Sequence, residues 1–187
     1  VAGRNSGSIE IKDESTESVT RTIRSSKGSG IGGVVGLNEA GGILLIDGTP
    51  NENKELTAVG TGVTVTGYEK VGGIVGINKG TLGKDDETIP ALASQAKLVR
   101  ATHGYAGGVV GTTAGNLYHA VNRSEQVNAD AGIAGGITAL NESGKSISGC
   151  VNYGNVRSSD GYAGGILAEN KGTVTNCTVE REGTKGL

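Results

Sequence analysis

Two cysteines, two histidines, one short acidic run and a few tyrosines carry most of the chemical capacity of this 187-residue chain. A zinc-type centre needs Cys, His or carboxylate ligands in a cluster. Cys150 and Cys177 are isolated, and His103 and His119 stand in unrelated surroundings, so no metal-ligand set is read. The run Lys84-Asp85-Asp86-Glu87 offers carboxylates to Ca²⁺ but lacks the spaced D-x-D-x-D-G arrangement, and reads as a solvated loop. Gly28-Ser29-Gly30-Ile31-Gly32-Gly33 has the outline of G-x-G-x-x-G, yet similar segments recur along the chain and open no helix, which argues against a dinucleotide site. Val63-Thr64-Val65-Thr66 and Thr173-Val174-Thr175 would suit an ice-binding threonine array. The matching positions hold Ser146/Ser148, Asn116/Tyr118 and Thr81/Gly83, so the array is not regular.

Two groups remain. Cys150 and Cys177 end matching runs, Ile147-Ser148-Gly149-Cys150 and Val174-Thr175-Asn176-Cys177, and Ala120 takes that place earlier. A small apolar side chain stacked in a core explains all three, since free Cys behaves as a small hydrophobe. A disulfide is the alternative, because neighbouring strands about 4.8 Å apart lie within its span. Tyr105 and Tyr162 each precede a glycine pair, in Gly104-Tyr105-Ala106 and Gly161-Tyr162-Ala163, with Ile133 at the matching place between them. Facing outward, Tyr105, Ile133 and Tyr162 form an apolar stripe suited to a sugar or a protein. Facing inward, the same rings close the corner of a core.

The elements that position these residues are repeats. Val71-Gly72-Gly73-Ile74-Val75-Gly76-Ile77-Asn78 returns as Ile31 to Asn38, Ala106 to Thr113, Ala134 to Asn141 and Ala163 to Asn170, with a truncated copy at Val1-Ala2-Gly3-Arg4-Asn5. The second glycine of each pair falls at 33, 73, 108, 136 and 165, giving intervals of 40, 35, 28 and 29. A basic unit of about 28 residues with insertions follows. Each unit reads as three short β-rich runs with polar turns, the pattern of a β-solenoid. The third run also recurs: Ile23-Arg24-Ser25-Ser26-Lys27-Gly28, Val99-Arg100-Ala101-Thr102-His103-Gly104 and Val156-Arg157-Ser158-Ser159-Asp160-Gly161.

Aligned columns assign directions. Val1, Val34, Ile74, Val109, Ile137 and Ile166 are β-branched and read as inward. Gly3, Gly36, Gly76, Gly111, Ala139 and Ala168 are small and read as inward at a narrow place. The mixed column between them, with Thr138 and Leu167, reads as outward, as does the column of Arg4, Leu37, Ile77, Thr112, Leu140 and Glu169. Asn5, Asn38, Asn78, Asn141 and Asn170, interrupted by Thr113, read as a stabilising amide ladder at a corner. The stretches from Asp47 to Glu55 and from Lys84 to Pro90 read as projecting loops, and Asp13-Glu14-Ser15-Thr16-Glu17 as a further acidic insertion.

Composition agrees with a slender core: 35 glycines, 2 prolines, and no Phe, Trp or Met leave Val, Ile, Leu and Ala to fill it. The balance of 17 basic against 19 acidic residues gives no electrostatic case for nucleic acid or an anionic membrane. No apolar run approaches the roughly 20 residues of a membrane span. The absence of an initiator Met and of a signal peptide reads as a mature or excised segment.

The pattern G-G-h-V-G-x-N, followed by G-[ST]-h and a Cys- or Asn-bearing run, resembles the GLUG repeat. Gly72 to Leu82 follows it most closely and Gly164 to Cys177 follows the longer form. The resemblance implies a bacterial surface protein, adhesin-like or the repeat region of an immunoglobulin-A-cleaving zinc metalloprotease. The protease signature H-E-x-x-H is absent from this chain.

The expectation is therefore an all-β chain: one β-solenoid domain over 1–187, a right-handed parallel β-helix of about six coils with three short strands each. Repeats are expected near 1–30, 31–70, 71–105, 106–133, 134–162 and 163–187. The expected role is a non-catalytic, extracellular segment at a bacterial cell surface, acting as adhesin-like binding module or rigid stalk without cofactor or metal. Its expected partners are a host glycan or protein, and neither nucleic acid nor an inserted membrane. A β-helix polysaccharide lyase or hydrolase is the competing class. Gly186-Leu187 written before Val1-Ala2-Gly3-Arg4-Asn5 restores the motif, which reads as a segment excised from a longer solenoid, with end-to-end self-association as its by-product in isolation; copies that stack head to tail into a fibre are the alternative.

Overall fold

The computed structural model describes residues 2–13, 20–86 and 88–180 of the chain. Both ends that would restore the motif, Val1 and Lys185-Gly186-Leu187, and most of the acidic stretch from Asp13 to Glu17, lie outside the described residues. Among the described residues there is no helix, and short strands pair in parallel in four sheets.

From Val35 onward the chain visits the sheets in a fixed order and then begins again; the first pass shows no third-sheet strand among the described residues. The first sheet joins Ala2–Asn5, Val35–Asn38, Val75–Asn78, Val110–Thr113, Thr138–Asn141 and Leu167–Asn170. The second joins Ser8–Asp13, Ile43–Gly48, Thr81–Leu82, Asn116–Tyr118, Ser146–Ser148 and Thr173–Thr175. A third joins Glu55–Val59, Ala91–Ser94, Ala120–Asn122, Val151–Asn152 and Thr178–Val179. The fourth is built on Arg21–Arg24, Val63–Gly67, Leu98–Gly107, Gln126–Gly135 and Asn155–Ser158. One pass thus uses four sheets rather than the three runs expected. The third sheet escapes the sequence pattern because strands such as Val151–Asn152 are too short to show a period.

The core is a set of in-register columns. Ile9, Leu44, Leu82, Leu117, Ile147 and Val174 face one another along the second sheet. Ile23, Val65, Val99, Val127 and Val156 do so along the fourth. Leu44, Leu82, Leu117 and Ile147 are fully buried, a burial worth about 1.5–3 kcal/mol each.

The glycine pair is explained by close approach. A Cβ on Gly72 would strike the Val75 carbonyl, and one on Gly107 would strike the Val110 carbonyl, because the backbone doubles back on itself there. A Cβ on the second glycine would strike first the carbonyl of the matching glycine on the next strand, Gly73 for Gly33, Gly108 for Gly73, Gly136 for Gly108 and Gly165 for Gly136, and then a side chain, Val59, Ser94, Asn122 and Asn152 in turn; Gly165 meets Val179. The small column is narrow for a related reason. A Cβ at Gly76 would enter the Gly30–Ile31 backbone, and one at Gly111 the Lys70–Val71 backbone. That column therefore faces a neighbouring backbone and not the aliphatic core.

Two assignments of direction change. Val35, Val75, Val110 and Thr138, read as outward, are fully buried, and Leu167 packs on the core. The bend at Gly33-Val34 and its repeats breaks the alternation, so Val34 and Val35 both turn inward. In the second column read as outward, Arg4 and Glu169 are exposed, whereas Thr112 and Leu140 are buried. The expected inward column of Val34, Ile74, Val109 and Ile137 is buried, with Ile166 packed against it.

Candidate binding face

The longest strands of the fourth sheet, Leu98–Gly107 and Gln126–Gly135, carry ten residues each. Val99, Ala101, Val127 and Ala129 point into the core, which leaves Arg100, Gln126 and Asn128 on the outside together with Arg157 of the next strand. Arg100 reaches sideways to Asp130 in a forked pair, with Nε at 3.0 Å from both carboxylate oxygens and Nη2 at 2.6 Å from Oδ2. The hydrogen bond and charge of Asp130 hold the Arg100 guanidinium above its ordinary pKa.

Beyond this polar patch the backbone turns at Gly104 and Gly132, both with positive φ, at 82° and 135°. Tyr105 and Ile133 then stand in register, with Lys70 beside Tyr105. Tyr162 follows just before the strand Ala163–Gly164, where its carbonyl accepts the Ala134 N–H at 2.9 Å. The stripe faces outward: Tyr105 and Ile133 are half-buried while Ala106 and Ala134 beside them are fully buried, and Tyr162, on the last described pass, is exposed together with Ala163. Tyr68 stacks on His103 with ring centres 4.6 Å apart and planes at 26°, adding a second aromatic surface near the same corner. His103, which no sequence pattern recommended, thereby joins the tyrosines through the Gly67-Tyr68-Glu69 turn.

The asparagine ladder is present and is broken once. Asn5 Nδ2 donates to Asn38 Oδ1 at 2.9 Å, and Asn38 Nδ2 to Asn78 Oδ1 at 2.9 Å. Asn78 Nδ2 donates to Thr113 Oγ1 at 3.1 Å, and Asn141 Nδ2 to Asn170 Oδ1 at 3.0 Å. The single hydroxyl hydrogen of Thr113 goes to the Gly115 carbonyl at 2.8 Å, and the Oδ1 of Asn141 is buried without a hydrogen-bond partner. A second, shorter ladder went unread in the sequence. Asn122 Nδ2 donates to Asn152 Oδ1 at 2.8 Å, and Ser94 and Ser124 hydroxyls meet at 3.2 Å. Its signal was the shared Val-Asn of Val121-Asn122 and Val151-Asn152.

Cys150 and Cys177 lie in one column with Leu92 and Ala120, as free thiols. Cys150 is fully buried in the core, and Cys177 is half-buried. The Cys150 thiol is pushed well up by its hydrogen bond with Cys177 and by burial. The same hydrogen bond brings Cys177 down to about 7. The Lys84 loop uses Asp86 locally: its Oδ1 accepts the Thr88 N–H at 2.9 Å and the Thr88 hydroxyl at 2.7 Å, which lowers the pKa of the carboxyl. Among the described residues, no group of three or more His, Cys, Asp or Glu could hold a metal ion.

A charged cluster that the sequence did not announce lies at the third sheet. Glu55, expected in a loop, opens a strand, and both its oxygens accept from Arg123 at 2.8 Å. Their side chains are 4 % and 15 % exposed, and Arg123 also covers the Tyr153 ring at 3.9 Å. Burial, then the hydrogen bond and charge of Glu180, push the Tyr153 phenol up. The Glu55–Arg123 separation of 68 residues hides the pair from any local motif.

Searches of family models, of curated proteins and of solved structures found no match to this chain.

Proposed function

We propose that the chain is a right-handed parallel β-helix of about six coils, a non-catalytic binding segment of a secreted bacterial cell-surface protein. Its resemblance to the GLUG repeat and its four parallel sheets support this reading. The observation that carries the binding role is the outward stripe of Tyr105, Ile133 and Tyr162. Tyr105 and Ile133 keep part of their surface in solvent while Ala106 and Ala134 beside them are fully buried, and rigid amphipathic rings bind sugar faces and protein surfaces at small entropic cost. The partner is a host glycan or protein, with the polar patch of Arg100, Asn128 and Asp130 supplying hydrogen bonds beside the rings. A glycan array read with the wild-type chain and with the Tyr105→Ser/Tyr162→Ser double variant tests it. Binding that disappears in a variant of unchanged melting temperature supports the module. An array blank for both proteins removes the glycan partner and leaves a protein partner or a rigid stalk.

The second reading, a β-helix polysaccharide lyase or hydrolase, draws on the meeting of Glu55, Arg123 and Tyr153. Such chemistry needs clustered carboxylates with Lys or Arg beside them, free to reach substrate. Glu55 is spent on Arg123 and buried, which favours the binding reading. New reducing ends or unsaturated products from uronic-acid polymers would reverse that preference.

A further inference from the structure

The register of the fourth sheet carries a period twice that of the glycine corner. Arg24 lies beside Thr66, Thr66 beside Arg100, Arg100 beside Asn128, and Asn128 beside Arg157. Arginine thus alternates with a neutral hydrogen-bonding side chain over five successive strands, and all three arginines are exposed. The aromatic stripe keeps the same phase. Tyr105 follows Arg100 and Tyr162 follows Arg157 at the same distance along the chain at which Ile133 follows Asn128. The cause is local sequence: the three copies beginning Ile23-Arg24, Val99-Arg100 and Val156-Arg157 occupy alternate strands, with Val65-Thr66 and Val127-Asn128 between them. In two of these copies a serine closes the turn after the arginine. Ser25 Oγ accepts the Gly28 N–H at 3.0 Å, and Ser158 Oγ accepts the Gly161 N–H at 2.8 Å.

Like charges directly opposed on neighbouring strands repel, which accounts for a neutral residue between arginines. It does not account for tyrosines in the same phase. Strands spaced at about 4.8 Å place successive arginines roughly 9–10 Å apart. A chain of equatorially linked hexopyranoses laid across the strands advances by about one strand spacing per sugar, so every second sugar meets an arginine. Guanidinium forks match carboxylate and sulfate oxygens, while the intervening sugar faces Thr66 or Asn128. We propose that this face binds a linear acidic polysaccharide carrying one carboxylate or sulfate per disaccharide, lying across the fourth-sheet strands from Arg24 towards Arg157. The proposal rests on the glycan-binding reading above and specifies its ligand. Asp130 holds Arg100 in a forked pair in the free protein, and because both side chains are open to solvent a polymer anion can compete for the guanidinium. Arg157 makes no ion pair among the described residues.

The test uses immobilised oligosaccharides long enough to span five strands. They are an alternating hexuronate–N-acetylhexosamine, its carboxyl-reduced neutral form, a sulfated alternating chain, and a homopolymer of hexuronate. The alternating acid should bind, weaken with added salt, and lose about tenfold on carboxyl reduction or in Arg157→Ser. The sulfated chain identifies which anion is preferred. Asn128→Arg, with folding checked by melting, should raise binding of the homopolymer relative to the alternating chain. Equal binding of the acid and its reduced form overturns the proposal, as does unchanged affinity in Arg157→Ser. If array glycans bind through the tyrosines while none of these four oligosaccharides does, the ligand class is wrong and the binding module stands. If no glycan binds at all, this proposal and the glycan-binding reading it rests on both fall.

Discussion

Replacing Thr113 with Asn should stabilise the protein, because it repairs a specific break in the corner ladder. An Asn amide at this corner has two N–H groups and uses both. Asn38 gives one to the Gly42 carbonyl at 3.1 Å and the other to Asn78 Oδ1 at 2.9 Å. Thr113 has one hydroxyl hydrogen, already committed to Gly115, and so has nothing to give Asn141, whose Oδ1 is left buried and unpaired. Asn78, Thr113 and Asn141 stand in register, so an amide at 113 reaches the same partners that its neighbours reach. An orphaned buried acceptor costs about 1–3 kcal/mol, and the new side chain offers it a donor while keeping the acceptor that Asn78 uses. Some of that gain is lost to fitting a different shape at a fully buried position, which leaves about 1 kcal/mol as the expected increase. Urea unfolding followed by far-ultraviolet circular dichroism reads it as a higher midpoint at unchanged slope. Thr113→Val, which removes the acceptor as well, should shift the midpoint down. A Thr113→Asn midpoint equal to or below the wild type would refute the donor-counting argument.

Asn78→Ala should cost more than Asn141→Ala, by about 1 kcal/mol, because Asn78 is bonded on both sides and Asn141 already lacks one partner; paired unfolding curves decide it. Arg123→Met should destabilise the fold by about 3 kcal/mol by stranding the Glu55 carboxylate at 4 % exposure, and a loss under 1 kcal/mol in denaturant titration would show that the pair is not structurally coupled. With the Cys177 thiol held at about 7, its thiolate should build up as pH rises from 6 to 8, so alkylation by iodoacetamide should accelerate across that window while the buried Cys150 stays unlabelled. Peptide mass spectrometry showing Cys177 half-reactive only near pH 9, or both cysteines labelled alike, would count against the thiol pair.

The sequence exposes the features that repeat letter for letter and conceals those that depend on where the chain bends. The glycine pair, the Val34 column and the corner asparagines recur in fixed spacing, and each recurs because a backbone contact or an amide bond demands that residue type. The burial of Val35, Val75 and Val110 could not be read by counting in twos, since the bend after Gly33 resets the phase. The role of the second glycine was hidden because its neighbour across the core, Ser94, Asn122 or Asn152, lies in a sheet of very short strands. The Tyr105–Ile133–Tyr162 column was legible as a column, but its outward direction depends on the turns at Gly104 and Gly132. Glu55 and Arg123 carried no signal at all, because a side chain that crosses the strand between them leaves no trace in local pattern.

The central claim is that ligand lies on the outer face and corner of the fourth sheet. Amide hydrogen exchange of the protein alone, and saturated with the glycan it binds most strongly on an array, tests this most directly. The account predicts that added protection is confined to Arg21–Arg24, Val63–Gly67, Leu98–Gly107, Gln126–Gly135 and the stretch from 155 to 164, with the turn around Tyr68 following. Protection centred instead on the loops at 49–54 or 84–90, or on Glu55 and Arg123, would contradict it.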